Sequence, residues 1–182
     1  MYYKIIDNVL TTEECDKIIS YGLTLPLAEV TTYSPVDGTD IMDYSFNKRK
    51  GVNFVWDELD GISKRILNII NSELIYKNIT YNKMESYLFN EYKENDFLNY
   101  HPDNFEIERG ATITVIVQLN DNYDGGDFCC MIDNNEITFP KKKGSIMIFE
   151  SAILHKVSHV KSGVRYSLNN WPKFIKQNKS IL

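Results

Sequence analysis

Apolar residues recur at helical spacing in two N-terminal stretches of the chain, and at the two-residue period of strands over most of its remaining length. Tyr2 to Ile6 reads as a short strand. Thr11 then offers an N-cap, and Glu14, three residues on, completes a capping box. The helix it starts carries Cys15, Ile18, Ile19 and Gly22 and breaks near Pro26. A second helix is expected from about Trp56 to Leu74, where Leu59, Ile62, Ile66, Ile69 and Ile70 share one face. From Lys83 onward the pattern shortens to β runs: Met84–Tyr92, Thr112–Leu119, Asp127–Ile132, Glu136–Phe139, Ser145–Phe149, Ile153–Val157 and Val164–Trp171. Asn120 to Gly126 and Lys141 to Gly144 are the clearest turns.

Residues 33 to 51 have no period. They hold Pro35, Gly38, Gly51 and the run Lys48-Arg49-Lys50, and read as a mobile loop able to order over a substrate. Many short strands behind two helices predict a mainly β protein with supporting helices, an α+β β-sandwich or jelly roll. One domain over 1–182 is expected, with helical support over about 1–82 and a jelly-roll core over about 83–172. Such a double sheet has a mouth where loops converge, and a metal site belongs there.

Composition narrows the classes. A chain of this length buries roughly 70% of the surface that it exposes when unfolded. Hydrophobic residues at 43% and charged residues at 25% are ordinary globular values. The net charge of −5 disfavours a general nucleic-acid binder, which needs a basic face. Cys15, Cys129 and Cys130 do not form a disulfide framework, so a reducing compartment is expected. The N-terminus lacks the pattern of a signal peptide, and no apolar run approaches the ~20 residues that span a bilayer. The expectation is a cytoplasmic protein with no membrane contact.

The chemistry concentrates in His101-Pro102-Asp103, His155, Arg165 and Ser167. Residues i and i+2 on a strand share a face, so His101 and Asp103 can address one metal, and Pro102 puts them at a strand end or edge. Two histidines and one carboxylate suit a ferrous ion with open positions. A hairpin around Ser158–Gly163, with its register centred near Val160, would set His155 opposite Arg165. Ser167, Asn169 and Trp171 continue the Arg165 face, while Tyr166 and Leu168 point away. The guanidinium fork matches a carboxylate, to which Ser167 can add a hydroxyl.

These residues sit in a stretch that resembles the iron(II)- and 2-oxoglutarate-dependent dioxygenases, in particular the prolyl 4-hydroxylase-like branch. The resemblance covers roughly residues 84 to 171. It runs through Tyr92, Tyr100-His101-Pro102-Asp103, Gly125-Gly126-Asp127-Phe128, Gly144 to Phe149, His155-Lys156-Val157, Arg165-Tyr166-Ser167 and Trp171. It implies a double-stranded β-helix core and an enzyme that hydroxylates an amino-acid side chain, foremost a prolyl residue in a peptide or protein. Succinate and CO2 would be co-products. It further implies that His101, Asp103 and His155 hold Fe(II), that Arg165, Ser167 and Tyr92 hold the co-substrate 2-oxoglutarate, and that O2 is consumed, with ascorbate as a supporting reductant. Trp171 and Asn169 would shape the substrate end. Where many relatives carry glycine before the His-x-Asp, this chain has Asn95-Asp96, which tolerate left-handed turns. Prolyl 4-hydroxylases usually place lysine where Arg165 stands.

Other readings compete. A free amino acid or small metabolite is an alternative substrate. A nucleic-acid demethylase of the same superfamily would carry a second arginine six residues after the first, where this chain has Trp171. A cupin-like, non-catalytic module would favour His-x-His with a following glutamate. Taken singly, His159, Cys129-Cys130 and Lys141-Lys142-Lys143 read as surface, packing and solvated-turn residues.

Overall fold

In the computed structural model, two antiparallel sheets face each other and two helices close the outer side of the larger one. Residues 1–30, 32, 33, 40, 41, 43–74, 79–103 and 112–176 are described. The larger sheet has seven strands in the order Tyr3–Ile6, Ile146–Glu150, Ile113–Gln118, Arg165–Asn170, Tyr87–Tyr92, Lys50–Phe54 and Ala28–Glu29. The smaller sheet orders Asn135–Thr138, Phe128–Ile132, His155–Val157, Phe97–His101 and Asn47–Lys48. This is the jelly roll expected from the strand pattern, in the double-stranded β-helix form that the resemblance implies.

Period-two alternation divides the large sheet into two working faces. Val115, Val117, Ile146, Ile148, Phe89 and Leu168 point outward and pack on the helices. Ile116, Met147, Phe149 and Tyr92 point inward and meet Phe128, Cys130 and Val157 of the small sheet. Helix α1 spans Thr12–Gly22, opened by the predicted Thr11–Glu14 capping box. At its last residue, Gly22, a Cβ would stand 2.8 Å from the Phe89 ring, so glycine lets the helix pack this close to the sheet. Helix α2 spans Asp60–Glu73 after a single 3-10 turn at Asp57–Leu59, and buries Ile62, Ile66 and Ile70. No described helix is long and apolar enough to cross a membrane.

The structure corrects three expectations. His155 and Arg165 are not hairpin partners. Val160–Ser162 forms its own short strand against Asp124–Gly125, so the chain passes from the small sheet to the large one between the two residues. His155 pairs instead with His101 and Arg165 with Tyr92, and the two side chains meet across the cavity between the sheets. Second, the 33–51 segment is not wholly a loop. Asn47–Lys48 pairs with Phe97–Leu98, Lys50–Phe54 pairs with Tyr87–Glu91, and Thr32–Tyr33 pairs with Asp40–Ile41. Its polar residues find strand partners through backbone hydrogen bonds, which hydrophobic periodicity cannot reveal. Residues 34–39 and 42 of that expectation lie outside the described residues. Third, the region before residue 83 gives edge strands to both sheets as well as helical support.

Candidate active site

His101 is the last residue of Phe97–His101 and His155 the first of His155–Val157, so adjacent strands present the two rings 4.2 Å apart. Asp103 lies just past the strand end, its backbone N–H bonded to the Ser151 carbonyl at 2.8 Å. Pro102 ends the ladder, as its missing N–H requires. The ligand atoms of the three residues lie within 4.8 Å of one another. His101 Nε2 stands 3.8 Å from Asp103 Oδ1, and His155 Nε2 stands 3.7 Å from Asp103 Oδ2.

Backbone carbonyls fix the tautomer of both rings. His101 Nδ1 lies 2.9 Å from the Asn99 carbonyl, and His155 Nδ1 lies 2.9 Å from that of Ile153. A carbonyl only accepts, so each Nδ1 carries the proton and each Nε2 lone pair faces Asp103. Thr114 Oγ1 at 2.6 Å and Trp171 Nε1 at 3.0 Å both donate to Asp103 Oδ2. Ser151 Oγ backs Thr114 at 3.1 Å. The carboxylate is therefore oriented by donors on the two neighbouring strands of the large sheet and just beyond them.

The electrostatics keep this trio ready for a cation. Burial, joined by the His155 charge, drives the His101 pKa down to about 3 in the metal-free chain. Burial pushes the Asp103 carboxyl up, but the two histidines and the Thr114 and Trp171 donors outweigh it and leave the pKa below the ordinary value. Near neutral pH the site thus offers neutral imidazole at His101 and an ionised carboxylate.

Arg165 faces them from the large sheet and is only 1% exposed. Its Nη1 donates to Ser167 Oγ at 3.1 Å, its Nη2 to Gln118 Oε1 at 3.4 Å, and the guanidinium lies 5.2 Å from the Tyr92 ring centroid. Among the described residues its Nε has no hydrogen-bond partner, and no carboxylate pairs with it. A buried cation left so is costly unless an anion joins it. Gly126, at φ +58°, lets the preceding turn press close: a Cβ there would stand 3.3 Å from Arg165 Cδ.

All eight residues singled out in the sequence line one cavity: Tyr92, His101, Asp103, His155, Arg165, Ser167, Asn169 and Trp171. Asn169 Oδ1 is buried there without a partner among the described residues. Trp171 lines the cavity and in addition donates its indole N–H to Asp103 Oδ2. Sequence reasoning missed Thr114 and Ser151, whose hydroxyls carry no spacing signal, and Arg49. Arg49 reaches the same cavity from the crossover between the sheets, and its guanidinium lies 5.8 Å from the Tyr92 centroid.

Two histidines and a carboxylate that could hold a metal ion stand opposite a buried arginine with no carboxylate partner among the described residues, inside a jelly roll. Known proteins share this core. Residues 87–173 match the family model of the 2OG-Fe(II) oxygenase superfamily. A PKHD-type hydroxylase of Crocosphaera subtropica is 22% identical over 179 residues, covering 91% of this chain and 76% of the relative. A Pseudomonas putida prolyl-4-hydroxylase superposes with a TM-score of 0.72 at 15% identity, over 94% of this chain and 91% of the other. A prolyl hydroxylase of Trichoplax adhaerens, solved with a hypoxia inducible factor peptide, superposes with a TM-score of 0.72 at 18% identity, covering 94% and 83%. Residues 87–173 thus resemble the 2OG-Fe(II) oxygenase superfamily, within a fold that prolyl hydroxylase structures share.

Proposed function

We propose that the chain is a single catalytic unit that hydroxylates a C–H bond of an amino-acid side chain, foremost a prolyl residue in a peptide or protein. Fe(II) and 2-oxoglutarate serve as cofactor and co-substrate, O2 is consumed, and succinate and CO2 are released. Ascorbate would keep the iron reduced. The observation that carries this reading is the pairing, in one cavity, of a tautomer-fixed His101, Asp103 and His155 trio with a buried Arg165 that lacks any described carboxylate.

In this reading His101 Nε2, His155 Nε2 and a carboxylate oxygen of Asp103 hold the iron, which supplies the oxidising chemistry together with dioxygen and the keto acid. Thr114 and Trp171 hold the Asp103 carboxylate in place by donating to Oδ2. Arg165 pairs with the distal carboxylate of 2-oxoglutarate, and the Ser167 hydroxyl, already bonded to Arg165, completes that receptor. Tyr92 walls the slot, its ring against the guanidinium. Asn169 offers its unpartnered Oδ1 at the substrate end, where the Trp171 ring forms one side. Apolar neighbours Ile116, Phe128 and Val157 limit water around the reacting centre. The reading further includes action in the cytoplasm. The nucleic-acid reading is disfavoured because the position of the second arginine is Trp171, which is bonded to the metal trio.

The test is turnover of prolyl peptides in air with Fe(II) and 2-oxoglutarate, read by mass spectrometry and succinate release. A gain of one oxygen atom in the peptide, stoichiometric with succinate and lost in His155→Ala, is expected. Succinate release with no peptide in a broad panel ever oxidised would remove the peptide substrate and leave the oxygenase.

A further inference from the structure

Arg49 is a second cation in the cavity, and nothing in the chemistry above uses it. It lies between Asn47–Lys48 of the small sheet and Lys50–Phe54 of the large one, where the chain crosses from one to the other. Its Nε donates to Asn90 Oδ1 at 3.0 Å and its Nη1 to Asn47 Oδ1 at 2.6 Å. Asn47 and Asn90 are both buried and both neutral. They aim the guanidinium without compensating its charge. Its Nη2 has no acceptor among the described residues, and no described carboxylate pairs with it.

The charges of the loaded cavity point to what is missing. Among the described lining residues Asp103 is the only carboxylate, and Arg49 and Arg165 are the only arginines. Iron(II) and Arg165 bring three positive charges, which Asp103 and the 2-oxoglutarate dianion balance. Arg49 remains. A half-buried guanidinium beside a filled, neutral site favours a further monoanion, and its planar fork suits a carboxylate. Both guanidiniums lie over the Tyr92 ring, at 5.2 Å for Arg165 and 5.8 Å for Arg49.

We propose that Arg49 is a specificity-determining residue that binds a carboxylate of the primary substrate, close to the carbon that is hydroxylated. The proposal rests on the assignment of Arg165 to 2-oxoglutarate. The carboxylate has two chemical sources, a free α-carboxylate or an acidic side chain next to the hydroxylated residue.

Calorimetry on the full chain, loaded anaerobically with Mn(II) and 2-oxoglutarate, separates them. The probes are acetyl-proline against acetyl-prolinamide, and acetyl-Pro-Asp-amide against acetyl-Pro-Asn-amide. The charged member of one pair should bind tighter by about tenfold or more, as a charge-assisted hydrogen bond implies. Arg49→Gln should abolish that difference, and Arg49→Lys should restore part of it. The first pair responding identifies a free α-carboxylate, the second an acidic side chain. Equal binding within both pairs, or no binding of any probe, overturns the assignment. Weaker 2-oxoglutarate binding in Arg49→Gln would place Arg49 in the co-substrate receptor and overturn it likewise. The same pairs with leucine for proline keep the two readings apart: a carboxylate preference that survives there upholds Arg49 and removes the prolyl substrate.

Discussion

The two faces of the strand Arg165–Asn170 are built on opposite terms. On one, Leu168 is fully buried and Tyr166 stacks on Phe89, with the helices beyond. On the other, Arg165, Ser167 and Asn169 line a cavity with polar atoms that the protein leaves partly unmatched. Successive residues differ only in which way the pleat turns them. The outward face lowers the free energy of the fold by burying apolar surface, and the inward face holds a cation that the fold alone does not stabilise. A strand can keep such a residue because its neighbours one position away anchor the backbone.

Substitutions on the two faces should therefore separate stability from binding. The largest expected change is in Leu168→Ala. A cavity under the helices should lower unfolding free energy by about 2–5 kcal/mol in denaturant titration. Its 2-oxoglutarate affinity, measured below the transition, should stay near that of the parent chain. Arg165→Met should behave in the opposite way. Loss of a charge-assisted carboxylate pair should weaken 2-oxoglutarate by about 10- to 100-fold, while the ligand-free melting temperature holds or rises. A lower melting temperature would show that Arg165 is a structural residue. Thr114→Val removes one donor to Asp103 without emptying space, and should cost about 10- to 100-fold in iron affinity. Unchanged metal binding there would mean that Trp171 alone orients the carboxylate.

A further effect is on pH dependence. His101 has its folded pKa near 3 against an ordinary value of 6.5, so between those values the unfolded chain binds the extra proton. Stability of the metal-free protein should thus be full above pH 6.5 and fall as the pH drops toward 3. The Asp103 carboxyl, also held below its ordinary value, adds loss in the same direction at the acid end. His101→Gln should flatten the upper part of that profile, and an unchanged slope would contradict the burial argument.

The site was legible in the sequence to the extent that its residues are chemically conspicuous and locally spaced. His101 and Asp103 share a face through a two-residue step, and Arg165, Ser167 and Asn169 do so through strand alternation. The helices were equally readable, because α1 carries its own capping box and α2 its own apolar stripe. What failed was pairing. The hairpin expected between His155 and Arg165 assumed the shortest connection, yet Val160–Ser162 finds its partner far back in the chain, at Asp124–Gly125, and carries the chain between sheets. Arg49 was invisible for a related reason. Its place in the cavity comes from strands that pair over a distance, within a polar stretch that has no period. Thr114 and Ser151 act through hydroxyls buried in otherwise ordinary strand and turn residues.

The central claim is that the two sheets bring together a metal site and a carboxylate receptor. Anaerobic titration of 2-oxoglutarate into the Fe(II)-loaded chain tests it most directly, with His155→Ala and Arg165→Met measured alongside. The account predicts binding that requires iron, is abolished in His155→Ala, and is weakened but still iron-dependent in Arg165→Met. Binding of 2-oxoglutarate that ignores iron, or equal affinity in all three folded proteins, would contradict it.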